Sequence, residues 1–454
     1  MLFERIVSAG LSHYSYIIGD GSDAVVIDPR RDVDAYLKLS GDNNMKITHV
    51  LETHRHEDFI VGSVELETRV GAKVYHADRQ LEYKYGKEAT EGRKISVGRL
   101  ELEPIFTPGH TLGSMSYLLY DPDGSPWVVF TGDALFAGDV GRVDFMGRSR
   151  LDEMAELLYE SIFNKILQIG DGTLVCPAHG AGSVCGDTIS DRLWTSIGLE
   201  RKLNPKLRHA EKAGFIKNVA KMLDYPPYFK EMEKRNLVGT PLIRDTMPPK
   251  ALSVREFKEG SGDAYILDSR KELGFSSSHV PGSQYLWADG IPNYAGWFVP
   301  YDKEILLVSE RCDVEKTVTY MQRLGYDNIK GYLSAGIHSW LISGIHSWSI
   351  ETTTVQDLCR NIDQDYDAWI LDVRDEDEIA SQGRLPLSHN IPLTVLGQRA
   401  SDVPKDRKVH IFCGSGLRAM IAASMLRRKG WKKLVVMLGG VFSWNSLTCP
   451  LEDD

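Results

Sequence analysis

No stretch of this sequence is apolar over the length that a bilayer-crossing helix needs. Positive charge is in the minority, with 53 Lys and Arg against 63 Asp and Glu and a formal net charge of −10. That balance disfavours wholesale binding to nucleic acid or to an anionic membrane. Cysteine is scarce: 6 in 454 residues, too scattered for a disulfide framework, so a reducing cytoplasm is the expected location. The opening MLFERIV has an acidic residue at Glu4 and no apolar core, and is not read as a signal peptide. Neither a disordered nor a fibrous bias is present, and the length suggests about three globular domains.

What is present begins with an internal repeat. YILDSR at 265–270 recurs as WILDVR at 369–374, MQRLGY as LRRKGW, and SAGIHSW as LGGVFSW. The offset is 104 or 105 residues each time, so two copies of one module fill residues 250–350 and 351–454. In each copy short apolar strands alternate with helical stretches, which predicts an α/β fold with a parallel sheet. TPLIRDTMPPK at 240–250 has the proline content of a linker, and residues 1–245 form a larger first domain. That domain reads as strands and hairpins followed by helices.

Chemistry concentrates at the strand ends of the first domain. ITHVLETH runs into THRHEDFIVG, which matches the dinuclear metal loop T-H-x-H-x-D-H except at its last position. His54, His56 and Asp58 are in place, and Phe59 stands where a histidine is expected. Three further apolar strands end on ligand-type residues: His110 in FTPGHTLGS, Asp133 in VVFTGDALF and His179 in VCPAHGAGS. A lone residue of this kind is usually structural. Three such clusters beside an H-x-H-x-D loop, four in all, point to a metal site.

These motifs carry a family resemblance. Residues 1 to about 240 resemble the metallo-β-lactamase superfamily, an αββα sandwich, and FTGDALFAGDVGRVDF is most similar to its persulfide dioxygenase branch. The two C-terminal modules resemble rhodanese domains, and the order resembles bacterial persulfide dioxygenase–sulfurtransferase fusions. The resemblance implies one Fe(II) per chain on His54, His110 and Asp133, with no organic cofactor. A second metal position would need Asp58, the missing histidine and His179, and phenylalanine has no lone pair to give it. Two imidazoles and a carboxylate form the facial triad of non-haem iron. His56, Asp58 and His179 then serve as orienting groups around the ligands. A zinc site that tolerates one ion is the competing reading. Arg142 of GRVDF either meets the carboxylate or phosphate of a thiol carrier or is structural. The basic stretch 200–212 either greets an anionic thiol or is a solvated helix face. Cys185 is read as inert unless its thiolate is stabilised.

A second chemistry lies in the last module. HIFCGSGLRAM places Cys413 after an apolar strand and before a helix, and Cys413 to Arg418 matches C-x-x-G-x-R. Backbone N–H groups of Gly414, Ser415, Gly416 and Leu417 can cradle an anion there, with Arg418 as a charge-assisted donor. The segment GRLPLS departs from the family's G-H-I-P-G-A. In the middle module the position equivalent to Cys413 is Ser309, and Glu310, Asp313 and Glu315 replace the cradle. Cys312 is out of register, and the module reads as a spacer or docking surface. The expected function is oxidation of a glutathione, coenzyme A or similar persulfide by O₂ to sulfite, with sulfane sulfur exchanged through thiosulfate. The alternatives are a thioester hydrolase resembling glyoxalase II, or a sulfane-sulfur carrier or sensor with a structural metal. A homo-oligomer is expected.

Overall fold

A computed structural model describes residues 1–77, 81–208, 211–363, 369–385 and 387–444. It divides into two compact units, Met1–Thr246 with Met321–Asp327, and Met247–Tyr320 with Asn328–Asp454.

The first unit contains two six-stranded sheets. One holds β1 (Leu2–Ser8), β2 (His13–Asp20), β3 (Asp23–Ile27), β4 (Lys46–Leu51), β5 (Lys73–His76) and β6 (Lys87–Glu88), in that spatial order. The other holds β7 (Ile95–Val97), β8 (Leu100–Phe106), β9 (Met115–Tyr120), β10 (Pro126–Gly132), β11 (Leu174–Pro177) and β12 (Thr195–Ser196), again as neighbours in sequence order. Strand periodicity explains how the layers stack. Val25 and Ile27 of β3 face Tyr117, Leu119, Val128 and Phe130 of the second sheet, forming the core between the sheets. The alternate residues Ala24 and Val26 face outward onto Tyr36 and Leu66 of the helices Asp34–Asp42 and Ser63–Val70. On the other side Leu118 and Val129 pack on Met154, Leu158 and Ile162 of helix Leu151–Phe163. The layers therefore run helix, sheet, sheet, helix, as the αββα resemblance implies.

The second unit holds two five-stranded parallel sheets. The first contains β13 (Lys250–Leu252), β14 (Tyr265–Asp268), β15 (Gln284–Tyr285), β16 (Ile305–Val308) and β17 (Ile329–Leu333), in the order β13-β17-β16-β14-β15. The second contains β18 (Glu351–Thr353), β19 (Trp369–Asp372), β20 (Ser388–Asn390), β21 (Val409–Phe412) and β22 (Leu434–Met437), in the order β18-β22-β21-β19-β20. The two orders are the same permutation, so the sequence repeat is a repeat of topology. Asp268 pairs with Val308 in one sheet and Asp372 with Phe412 in the other. Ser309 and Cys413 thus follow equivalent strand ends. Gln284 Nε2 donates to Ser424 Oγ at 2.5 Å, joining β15 to the helix Leu417–Arg428 of the last module.

Both modules bury the same ion pair. Arg270 donates through Nε and Nη2 to Asp268, and Arg374 does the same to Asp372. Neither Asp372 nor Arg374 is exposed. One cysteine departs from the expected reduced set, since Cys359 is disulfide-bonded. Removing one member of a buried pair leaves an uncompensated charge. Asp372→Ala should therefore lose roughly 3–5 kcal/mol of stability, read as a lowered denaturant midpoint. An unchanged midpoint would show that the pair is not desolvated.

Candidate metal centre

The candidate site collects at the ends of β4, β10 and β11 and in the turn between β8 and β9. β4 runs out at Leu51 into the loop carrying His54, His56, Glu57 and Asp58. His110 lies between β8 and β9, Asp133 follows β10, and His179 follows β11. His54, His56, Asp58, His110, Asp133 and His179 are all buried. The backbones meet closely there. A Cβ on Gly132 (φ 53°) would lie 2.6 Å from Thr53 Oγ1, and one on Gly141 would lie 1.9 Å from the Asp133 carbonyl oxygen.

Hydrogen bonding fixes which nitrogen of each ligand histidine is bare. Thr53 Oγ1 donates to Asp28 at 2.7 Å, so the same oxygen accepts from His54 Nδ1 at 2.9 Å. His110 Nδ1 lies 2.9 Å from the carbonyl oxygen of Arg142, which can only accept. In both rings the proton sits on Nδ1 and Nε2 keeps its lone pair. Those two Nε2 atoms are buried with no hydrogen-bond partner. They lie 3.6 and 3.4 Å from one atom, Asp133 Oδ2. Burial holds the pKa of both His54 and His110 down, which keeps them neutral. Burial opposes ionisation of Asp133, yet the charge of His179 and its hydrogen bonds outweigh it and hold that carboxyl far below the usual range. Two bare imidazole nitrogens aimed at one carboxylate oxygen form a donor set that a cation fits.

His179 has no lone pair left in this arrangement. Its Nδ1 is 2.8 Å from Asp133 Oδ1 and its Nε2 is 3.0 Å from Asp58 Oδ2. Burial disfavours its charge, but Asp133 and Asp58 together raise its pKa well above the ordinary value. His56 Nε2 lies 3.1 Å from Asp28 Oδ1. The backbone of Asp28 is left-handed, with φ 48°, so a strained residue organises both Thr53 and His56. Phe59 is fully buried, its ring 4.0 Å from that of His13 and 4.6 Å from that of His56.

Several residues near the site carry no strong local signal in the sequence. Asn236 donates to the carbonyls of His56 and Phe59 at 2.8 Å and accepts from Val61 N–H, pinning the loop from nearly 180 residues away. His13 packs on Phe59. Glu57 is buried, and burial pushes its carboxyl up to about 8. Cys185 is also buried, with its sulfur within 4.8 Å of donor atoms of His110 and Asp133. Burial first, and then Asp133 and Asp58, raise its pKa well above the ordinary value.

Arg142 is committed to the fold. Its Nε and Nη2 donate to Asp144 at 2.7 and 2.8 Å, and Nη1 donates to the carbonyls of Val184 and Asp224. Of the two readings open in the sequence, these bonds fit the structural one, because the guanidinium is already satisfied within the chain. The signal was Asp144, two residues on, the spacing seen again in the Asp268–Arg270 and Asp372–Arg374 pairs. In the basic stretch 200–212, Arg201 pairs with Asp171, Lys206 with Asp187 and Lys212 with Glu160, while residues 209 and 210 lie outside the described residues.

In the last module Cys413 is fully buried, and Gly416 N–H points at its sulfur from 3.1 Å. Gly416 has φ 105° and stands at the head of helix Leu417–Arg428. Val441, Phe442 and Gly439 donate their N–H groups to the carbonyls of Cys413, Gly414 and Ser415, so the loop rests on the segment 439–442. Ser415 is exposed. Arg418 is expected to support the anion as a charge-assisted donor. In the structure its two terminal nitrogens each donate to Glu378 at 2.5 Å, and that pairing holds the guanidinium beside the loop. The rim segment GRLPLS includes residue 386, outside the described residues. In the middle module Ser309 is buried and Cys312 is exposed on a short 3₁₀ turn.

Residues 9–179 match the metallo-beta-lactamase superfamily model and residues 354–447 match the rhodanese-like domain model. The mitochondrial persulfide dioxygenase ETHE1 of Bos taurus is 31% identical over 201 residues, 43% of this chain and 71% of that protein. The chain belongs to the persulfide dioxygenase family. The family's fold is reflected in a solved metallo-beta-lactamase from Staphylococcus aureus subsp. aureus COL, which aligns with TM-score 0.65 and 29% identity over 74% of this chain and 98% of its own. Hydroxyacylglutathione hydrolase GloC of Haemophilus influenzae is 23% identical over 222 residues, 44% of this chain and 95% of that protein. No described helix is long and apolar enough to cross a membrane.

Two outcomes follow from this geometry. Phe59→His should restore a donor beside Asp58 and His179, and zinc titration should then saturate near two ions per chain where the parent saturates near one. A variant that still stops at one ion would mean that the phenylalanine is not what closes the second position. Cys312→Ser should leave any sulfur transfer to sulfite or cyanide near that of the parent. A large loss with the fold intact would refute the register that equates Cys413 with Ser309.

Proposed function

We propose that this chain is a mononuclear Fe(II) persulfide dioxygenase joined to a rhodanese-type sulfurtransferase. The observation that carries the first half is the pair of tautomer-locked, unpartnered Nε2 atoms converging on Asp133 Oδ2. His54, His110 and Asp133 would hold the ion. Bound Fe(II) would supply the redox chemistry between O₂ and a persulfide sulfur; with one water consumed, the products are sulfite, the free thiol and two protons. The protein's part is to keep both imidazoles neutral and aimed, through Thr53 and the Arg142 carbonyl. His179, bonded to Asp133 and Asp58, balances buried negative charge. Phe59 keeps the neighbouring position apolar. The persulfide would be carried by a small thiol such as glutathione or coenzyme A.

For the second half, Cys413 is the nucleophile. As a persulfide, Cys413–S–S⁻, its outer sulfur is attacked by sulfite. The S–S bond breaks, thiosulfate leaves and the Cys413 thiolate is regenerated; the reverse step cleaves thiosulfate and releases sulfite. The Gly416 N–H and the helix behind it stabilise the anionic sulfur. Arg418, fixed by Glu378, adds positive field without being free to swing away.

The likeness to GloC keeps a thioester hydrolase as the competing reading, and the two part on oxygen. Protein purified anaerobically should contain close to one iron per chain. His110→Ala should cut persulfide-dependent O₂ uptake more than about 100-fold and leave thiosulfate cleavage intact. Cys413→Ser should consume O₂ normally, release sulfite and neither form nor cleave thiosulfate, because a serine hydroxyl does not ionise at neutral pH. Hydrolysis of a glutathione thioester without O₂ uptake, or two functional zincs per chain, would overturn the dioxygenase reading. Loss of O₂ uptake in Cys413→Ser would overturn the order of oxidation before transfer.

A further inference from the structure

The loop that lost a histidine at position 59 carries an additional carboxylate at position 57. Glu57 is fully buried. One carboxylate oxygen of Glu57 and one ring nitrogen each of His54 and His110 lie within 4.8 Å of one another. Its Oε1 makes a long contact of 3.4 Å to Arg55 Nη2. Its Oε2 is buried with no hydrogen-bond partner. A carboxylate oxygen left bare in the interior is expensive unless a cation or proton meets it. These are the two histidines whose unpartnered Nε2 atoms converge on Asp133 Oδ2. Asp58 and His179 cannot answer this need, because they are bonded to each other.

We propose that Glu57 is a fourth protein donor to the metal held by His54, His110 and Asp133. This rests on the metal-site reading above and extends it. A second carboxylate makes the site more anionic than a His₂–Asp set, favouring a divalent cation, and leaves one fewer position open to exchangeable ligands. The loop would thus trade a dinuclear site, which needs a histidine at 59, for a more fully coordinated single ion. A purely structural Glu57, held by Arg55, predicts the opposite energetics. Its removal would weaken the metal-free fold and leave metal affinity alone.

The experiment uses the full-length protein, stripped of metal and titrated with Co(II) against a chromophoric chelator, for the parent, Glu57→Ala, Glu57→Gln and His110→Ala. Even residues that only orient a ligand typically contribute about 10–100-fold to metal affinity. Glu57→Ala should weaken Co(II) binding by at least about 10-fold and alter its visible absorption, while metal-free Glu57→Ala unfolds at or above the parent's denaturant midpoint. Glu57→Gln, which keeps the shape and removes the charge, should fall between and carries the test if the alanine variant does not fold. If Glu57→Ala, or Glu57→Gln in its place, binds Co(II) with parental affinity and spectrum while His110→Ala does not, the assignment of Glu57 is wrong and the metal site stands. If His110→Ala also binds as the parent does, the metal site itself is wrong, and Glu57 falls with it.

Discussion

Everything around the candidate centre depends on one constraint: Asp133 is ionised and buried among three histidines that it must keep in different states. His54 and His110 offer it lone pairs, whereas His179 offers it a proton. The difference comes from the far side of each ring. His54 and His110 give their Nδ1 protons to Thr53 and to the Arg142 carbonyl, which leaves Nε2 bare. His179 has a carboxylate at both nitrogens, so it holds two protons. The αββα sandwich supplies the frame for this. Strand ends β4, β10 and β11 fix three of the groups, and no mobile loop has to find them.

The same constraint shows which features were legible in the sequence. His54, His110, Asp133 and His179 were readable because each follows an apolar strand directly, a local pattern. The repeat was readable because its offset is nearly constant, and it reappears as one strand order used twice. Asn236, Asp28 and Glu378 were not readable. Asn236 reaches the metal loop from a distant helix, and Asp28 acts through a left-handed backbone that no propensity signals. Glu378 meets Arg418 across 40 residues. Long-range bonds of this kind have no periodicity to betray them. Arg142 is the instructive ambiguity, since its aspartate two residues on was in plain view.

Comparing the two modules turns the missing chemistry of the middle one into a structural argument. At the offset of the equivalent strands, Cys413 maps to Ser309, Gly416 to Cys312, Arg418 to Val314 and Glu378 to Gly274. Gly416 adopts φ 105°, a conformation a side chain resists, and that conformation aims its N–H at the Cys413 sulfur. Cysteine at 312 instead sits in a right-handed 3₁₀ turn, exposed to solvent. The cysteine, the glycine that bends the loop, and both members of the Arg418–Glu378 pair are therefore absent together. The buried Asp268–Arg270 pair, which serves the fold alone, is kept in full. Framework and loop are separable in this module: the sheet order and its ion pair are present without the Cys413-type loop.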